Sequence, residues 1–267
     1  MIGVGIIGYG LMGKRYFENI SKNKKFRVVK ILRRKKIKNK IFTTQHKLFF
    51  RDPNIQLYIV ASGIKTHFYF VKKIILNNKN IIVEKPFVNN NLEANKIQKI
   101  QKRRKIKKFI VHYNDLYNLN SLNLRQKIKK IGKIKKIELI YGKLQSGKIN
   151  QLIKDWLPHP LSVLINFFGI PLDTKVINKS SKQISVLVQY KNFKAVIKYS
   201  NKFKKKKLIK FIGSKSSYIY NGYSKKLNSI NCVLNQYSSK RKIDDVNLSI
   251  LVTSMLTKIS KALSVKL

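Results

Sequence analysis

The chain has 267 residues, enough to bury a core in one large or two small domains, and its 43% apolar and 10% aromatic content is that of a globular protein. Its 59 Lys and Arg against 10 Asp and Glu give a formal charge of +49, but they run through the whole chain with no basic tail, as codon drift in an A- and T-rich genome would leave them, so no specific nucleic-acid partner is expected. A single cysteine, Cys232, excludes an internal disulfide, and His46, His67, His112 and His159 lack the paired spacing of a structural metal site. No apolar run reaches bilayer length, so a cytoplasmic chain without metal or membrane partner is expected.

Ile2–Ile7 is a short apolar run with the pattern of a buried strand, and a glycine-rich turn leads from it into a helix over about Leu11–Ser21. Phe26–Leu32 predicts a second strand, and the basic, weakly patterned stretch 33–50 predicts a loop with a short helix. Leu57–Ala61 reads as the next strand, broken by Ser62-Gly63. Thr66 is placed to cap a helix to about Asn78, with Phe68, Val71 and Ile75 on one face. Asn80–Val83 is a strand stopped near Pro86, Asn91 is placed to cap the following helix, and Lys107–Tyr113 closes the series. Strands alternating with helices at this spacing predict a doubly wound parallel sheet, assigned to residues 1–118.

Beyond about Leu119 the rhythm changes. Lys133–Lys143 predicts a strand, and a helix starts near Pro160 with Leu161, Leu164, Ile165 and Phe168 on one side. Ile184–Tyr190, Phe193–Tyr199, Lys207–Ile212 and Ser217–Tyr220 read as antiparallel strands, the run Lys204–Lys207 as a solvated turn or edge, and Asp244 or Asp245 as the opening of a final helix. Residues 119–267 are therefore expected to form an α+β domain.

The turn after the first strand reads Gly8-Tyr9-Gly10-Leu11-Met12-Gly13, a G-x-G-x-x-G loop between a strand and a helix. Gly8 permits the tight turn, Gly10 lets a pyrophosphate approach the backbone and Gly13 lets the helix pack on the strand, while the helix start offers free N–H groups to phosphate. This context predicts a dinucleotide site in a Rossmann domain. Where an NAD site places Asp or Glu to hold the adenine ribose, this chain has Leu32-Arg33-Arg34. Arginine suits a 2′-phosphate, so NADP is expected over NAD.

Three further features carry a family resemblance: residues 52–61 with His67 following, Glu84-Lys85-Pro86 after the fourth apolar strand, and Asp155-Trp156-Leu157-Pro158-His159 before a helix. With Gly8–Gly13 they resemble the glucose–fructose oxidoreductase / inositol dehydrogenase (Gfo/Idh/MocA) family over most of residues 1–170. The resemblance implies an α/β protein whose second domain carries an open, mostly antiparallel sheet that forms the contact of a homo-oligomer. It implies hydride transfer between a nicotinamide and a hydroxyl or carbonyl carbon of a sugar, nucleotide sugar or cyclitol. Lys85, Asp155 and His159 match the family's active-site lysine, aspartate and acid/base histidine. The chemistry is coherent: histidine exchanges a proton near neutral pH, and lysine stabilises negative charge on the reacting oxygen.

Ser62, His67 and Glu84 are expected on the cofactor side with the glycine loop, Arg33, Arg34 and Lys85. His67 could equally be a helix-start residue with a local hydrogen bond, and Trp156 could stack on substrate or fill space. The chain departs from the family pattern at Ser62-Gly63, where Thr-Pro is usual, and at Tyr113–Tyr117, where an arginine is common. Those departures leave open a dinucleotide-binding regulator or scaffold without turnover.

Overall fold

A computed structural model describes residues 1–35, 37–143, 155–203, 205–223 and 228–264. In chain order these form β1 (Ile2–Ile7), α1 (Leu11–Ser21), β2 (Phe26–Leu32), β3 (Phe42–Thr43), α2 (His46–Arg51), β4 (Leu57–Val60), a 3-10 turn (Ile64–Thr66), α3 (His67–Leu76), β5 (Asn80–Glu84), α4 (Asn91–Lys102) and β6 (Lys108–His112). Then come α5 (Asn114–Ser121), α6 (Leu124–Ile131), β7 (Ile134–Lys143), α7 (Pro158–Phe168), β8 (Asp173–Lys179), β9 (Gln183–Gln189), β10 (Lys194–Ser200), β11 (Lys205–Gly213), β12 (Ser217–Asn221), α8 (Ser229–Tyr237), β13 (Ile243–Asp244) and α9 (Val246–Ala262). Lys204, at the start of the expected turn, lies outside the described residues, and Lys205–Lys207 open β11.

The protein is α/β and divides into two units, one of residues 1–112 and 233–250, the other of 113–232 and 251–267. A single cut at 118/119 misses this interleaving. The first unit is a seven-stranded sheet ordered β13-β6-β5-β4-β1-β2-β3 with every pairing parallel. β4, β5 and β6 are buried on both faces, as their unbroken apolar runs require. The strand order reverses between β1 and β4, and the carboxyl ends beside that switch are where ligands bind in open α/β sheets.

The returning segment seals the β6 edge. β13 adds the last parallel strand, Asp245 accepts from the Val111 backbone N–H at 2.9 Å, Gln101 donates to Asp244 at 2.8 Å, and Lys108 Nζ donates to Ser239 O and Arg241 O. Asp244 accepts from the Val246 N–H at the start of α9, the start the sequence predicts.

Two caps differ from expectation. Asn90, not Asn91, caps α4: its side chain accepts from the Glu93 N–H at 2.9 Å, while the Glu93 carboxylate accepts from the N–H of Asn89, the residue before the cap, at 3.0 Å. Thr66 precedes α3, but its hydroxyl donates to Gly63 O at 2.7 Å and gives no cap.

The second unit is a six-stranded sheet ordered β12-β11-β7-β10-β9-β8, antiparallel except where β7 meets β10. Alternate residues of β7 and β10, among them Ile137, Leu139, Tyr141, Ala195, Ile197 and Tyr199, are buried, and α5 packs on α7. Within this core, Asp115 on α5 is fully buried and holds three partners: Lys207 Nζ at 2.7 Å, Tyr141 Oη at 2.7 Å and Tyr220 Oη at 3.3 Å. Burial, then the Asp115 charge, push the Tyr141 and Tyr220 phenols upward in pKa, so both stay hydrogen-bond donors.

Removing one member of a buried ion pair strands the other. Asp115→Asn is expected to cost about 3 kcal/mol, with Asp115→Asn/Lys207→Met recovering most of it; urea unfolding followed through Trp156, the only tryptophan of the chain, measures both. A fragment of residues 1–118 lacks the segment that closes the β6 edge and is expected to aggregate, whereas the full chain stays dispersed on gel filtration.

Candidate active site

The carboxyl ends of β1, β4 and β5 carry the cofactor-side candidates. Gly8 follows β1 with φ +92°, a conformation only glycine adopts without strain. Its N–H is held by Leu32 O at 2.9 Å. A Cβ at Gly13 would run into Gly8 O, so α1 approaches β1 this closely only because residue 13 has no side chain. At Gly10, the residue capping α1, a Cβ would meet nothing within 4 Å. The loop is thus tight where it packs on the protein and open where a phosphate must approach. This fits a dinucleotide: the first-turn N–H groups of α1 face that open side with the positive end of the helix dipole.

Leu11 is exposed and Met12 half-buried at the start of α1. Tyr9 at the loop tip packs edge-on against Phe42 with centroids 4.9 Å apart, and the Arg33 guanidinium lies over the same Phe42 ring, 5.9 Å from its centroid. Arg33 is half-buried and Arg34 exposed. Of the residues that follow β2, Arg33 is thus brought beside the glycine loop through Phe42.

His67 is 1% exposed. Its Nε2 lies 2.9 Å from Ser62 O, and its Nδ1 3.0 Å from Pro86 O and 3.3 Å from Phe87 O. A hydrogen on either ring nitrogen finds a carbonyl acceptor, so the ring clamps the loop after β4 to the loop after β5. Ser62 Oγ is itself engaged, 2.7 Å from Thr66 Oγ1.

Glu84 ends β5 and faces the interior at 6% exposure, 2.9 Å from His112 Nδ1, with Tyr16 Oη 2.5 Å from the same nitrogen. Its carboxylate ties β5 to β6 and to α1. Burial, then the charge of Glu84, push the Tyr16 phenol well up in pKa. Lys85, the next residue, is half-buried and joined to Pro86 by a cis peptide bond. Sequence reasoning did not give His112 or Tyr16 a role; the only signal for them was a histidine ending a strand beside the Glu84 strand.

Asp155 and His159 belong to the second unit. Asp155 is exposed in a helical turn, and His159 is 6% exposed in the first turn of α7, where Ser162 Oγ donates to its carbonyl at 2.8 Å. α7 begins at Pro158, two residues before the expected start, so His159 lies inside the helix and not at its cap. Asp115, noted in the sequence only as a departure, is the most deeply buried acid of that unit. No cluster of three metal-ligating side chains occurs among the described residues, and no helix there is long and apolar enough to cross a membrane.

Residues 2–113 match the oxidoreductase family GFO_IDH_MocA, with its NAD-binding Rossmann fold. No curated protein sequence matches the chain. Solved structures share the fold. A myo-inositol dehydrogenase from Corynebacterium glutamicum superposes with TM-score 0.83 at 12% identity, over 98% of this chain and 96% of that one. An oxidoreductase from Bacillus cereus gives 0.76 at 16%, over 97% and 95%. Biliverdin reductase from Synechocystis, solved with biliverdin and NADP+, gives 0.71 at 14%, over 98% of both chains.

The two glycines separate folding from binding. Gly10→Arg fills open space and is expected to shift stability by no more than about 0.5 kcal/mol while weakening NADPH binding by at least roughly a hundredfold, about 2.8 kcal/mol. Gly13→Val forces α1 off β1 and is expected to lower the thermal midpoint and binding together. Calorimetry with NADPH fluorescence titration distinguishes them.

Proposed function

We propose, for a chain whose residues 2–113 belong to the Gfo/Idh/MocA oxidoreductases with their NAD-binding Rossmann fold, an NADP(H)-dependent hydride transfer at a hydroxyl or carbonyl carbon of a sugar, nucleotide sugar or cyclitol. The observation that carries the cofactor half is the glycine loop at the sheet's switch point, packed at Gly13 and open at Gly10. Arg33, set over Phe42 beside the loop, supports NADP over NAD because a guanidinium pairs with a 2′-phosphate and a ribose diol gains more from a carboxylate. The substrate half rests on Lys85, Asp155 and His159, which stand at the positions of the family's active-site residues.

A bound nicotinamide supplies or accepts the hydride. The chain's own residues manage the proton and the charge. In the oxidising direction His159 takes the hydroxyl proton as the C–H bond breaks; its Nδ1 is buried, so the exchange runs through Nε2. The Lys85 ammonium donates to the reacting oxygen and stabilises its negative charge, and Asp155 binds a neighbouring hydroxyl or orients the imidazole. His67 fixes the loop that presents Lys85 by holding Pro86 O and Ser62 O. The second sheet forms the contact of a homo-oligomer on the same family reading.

The rival is a chain of this fold that binds the dinucleotide without turnover, and Ser62-Gly63 in place of Thr-Pro is the feature that favours it. Fluorescence titration at physiological salt is expected to give tighter binding of NADPH than of NADH, with Arg33→Ala reducing that preference. In the presence of NADP+, a panel of sugars, nucleotide sugars and inositols is expected to include one that is oxidised, and Lys85→Ala to slow it by roughly a hundredfold or more. NADPH binding with no turnover across the panel would favour the rival, and preference for NADH would discard the arginine argument.

A further inference from the structure

β3 is only two residues long and lies at the edge of the first unit's sheet, yet its pairing decides where one cation rests. β2 and β3 run parallel, with Ile31 opposite Phe42 and Leu32 opposite Thr43. The ladder continues past the end of β2: the Arg33 N–H donates to Thr43 O at 3.0 Å, as the Ile31 N–H does to Ile41 O at 2.7 Å. Arg33 stands two residues beyond Ile31, the partner of Phe42, so the pleat turns the Arg33 and Phe42 side chains to one face. There the guanidinium sits over the Phe42 ring.

The ring is itself fixed. Tyr9, between Gly8 and Gly10, meets Phe42 edge-on at 4.9 Å and Phe17 of α1 edge-on at 6.0 Å between centroids. Phe17, Tyr9, Phe42 and Arg33, all half-buried, thus form a row from the helix that starts in the glycine loop to the end of β2. An arginine held by nothing samples many rotamers, and freezing it on a ligand costs affinity. A guanidinium held on an aromatic face has given up much of that freedom beforehand, and its in-plane N–H groups can still fork onto a phosphate. Arg34, the next cation in the chain, is exposed.

We propose that Phe42 is a positioning residue for cofactor choice: its ring, fixed by Tyr9, holds the Arg33 guanidinium ready for the 2′-phosphate of NADP(H). This rests on the NADP reading given above and deepens it, because part of the preference then belongs to the ring under the arginine. It also gives the short edge strand a duty: without the β2–β3 pairing, nothing brings Phe42 beneath Arg33.

The full chain and its variants Arg33→Ala, Phe42→Leu and Phe42→Tyr are titrated with NADPH and NADH at physiological salt. The ratio of the two dissociation constants is the readout, because damage to the sheet edge would weaken both cofactors alike. Phe42→Leu is expected to reduce the preference for NADPH by roughly three- to fivefold, with NADH affinity kept within about twofold. Phe42→Tyr, which retains the aromatic face, is expected to retain the preference. Displacement of bound NADPH by adenosine 2′,5′-bisphosphate and by its 3′,5′ isomer separates geometry from net charge: the +49 chain attracts both isomers alike, and only the 2′,5′ isomer is expected to lose affinity in Phe42→Leu. A preference that depends on Arg33 but survives Phe42→Leu, or an equal loss for both cofactors or both bisphosphates in that variant, overturns the role of Phe42 and leaves the cofactor reading standing. A wild type that binds NADPH no better than NADH, or a preference untouched by Arg33→Ala, fails the cofactor reading and the role of Phe42 with it.

Discussion

The first unit depends on how closely α1 lies on β1. A parallel sheet delivers the carboxyl ends of all its strands to one edge, and the split between β1 and β4 opens a crevice there. That crevice binds phosphate only if a helix starts in it with its N–H groups free. α1 starts there because Gly8 turns the chain through positive φ and Gly13 lets the helix sit against Gly8 O. Ser62 after β4 and Lys85 after β5 come to the same edge because their strands are parallel neighbours in register. His67, buried between the two loops, converts that neighbourhood into a fixed geometry.

Acid residues are scarce against the +49 background, and the fold uses them sparingly and locally. Asp52 pairs with Lys30 at 3.1 Å, and the Lys30 and Asn54 hydrogen bonds outweigh partial desolvation to lower its pKa. Glu93 completes a helix cap, Asp244 and Asp245 hold the returning segment to α4 and β6, and Glu84 and Asp115 each anchor a buried network. In a chain with so few carboxylates, scarcity marks structural duty at least as often as chemistry. Glu84 illustrates this: beside Lys85 in the chain, it faces the interior toward His112 and Tyr16.

What could be read from the sequence follows from the range of the forces involved. β1, β4, β5 and β6 are buried on both faces, so their apolar runs announce them, and the glycine loop is a local steric requirement written in three residues. Local rules also placed α3, α4 and α7 to within a residue or two. α5, α6 and α8 went unread: they follow a change of rhythm, α6 is rich in lysine, and its entry is set by Asn123 at φ 53°, a conformation with no apolar signature. The interleaved units were equally hidden, because the contacts of Asp244, Asp245 and Tyr237 with residues near 80–111 span more than a hundred positions.

The candidate site divides along the same line. Gly8, Gly10 and Gly13 were legible because their conformations are set by position in a strand–turn–helix unit, whereas Lys85 stood out only through the family resemblance. The environments of Asp115, Tyr141 and Tyr199 depend on strands that meet only after folding, so an alternating strand pattern marks these side chains as inward-facing without saying which hydroxyl finds a partner. Tyr141 and Tyr199 share the covered face of one sheet, on strands paired in parallel with these two residues directly opposed. One of them meets a buried carboxylate and the other does not. That difference, invisible in sequence and fixed by the placement of α5, leaves one of two adjacent tyrosines a structural donor and the other with its hydroxyl buried in apolar surroundings.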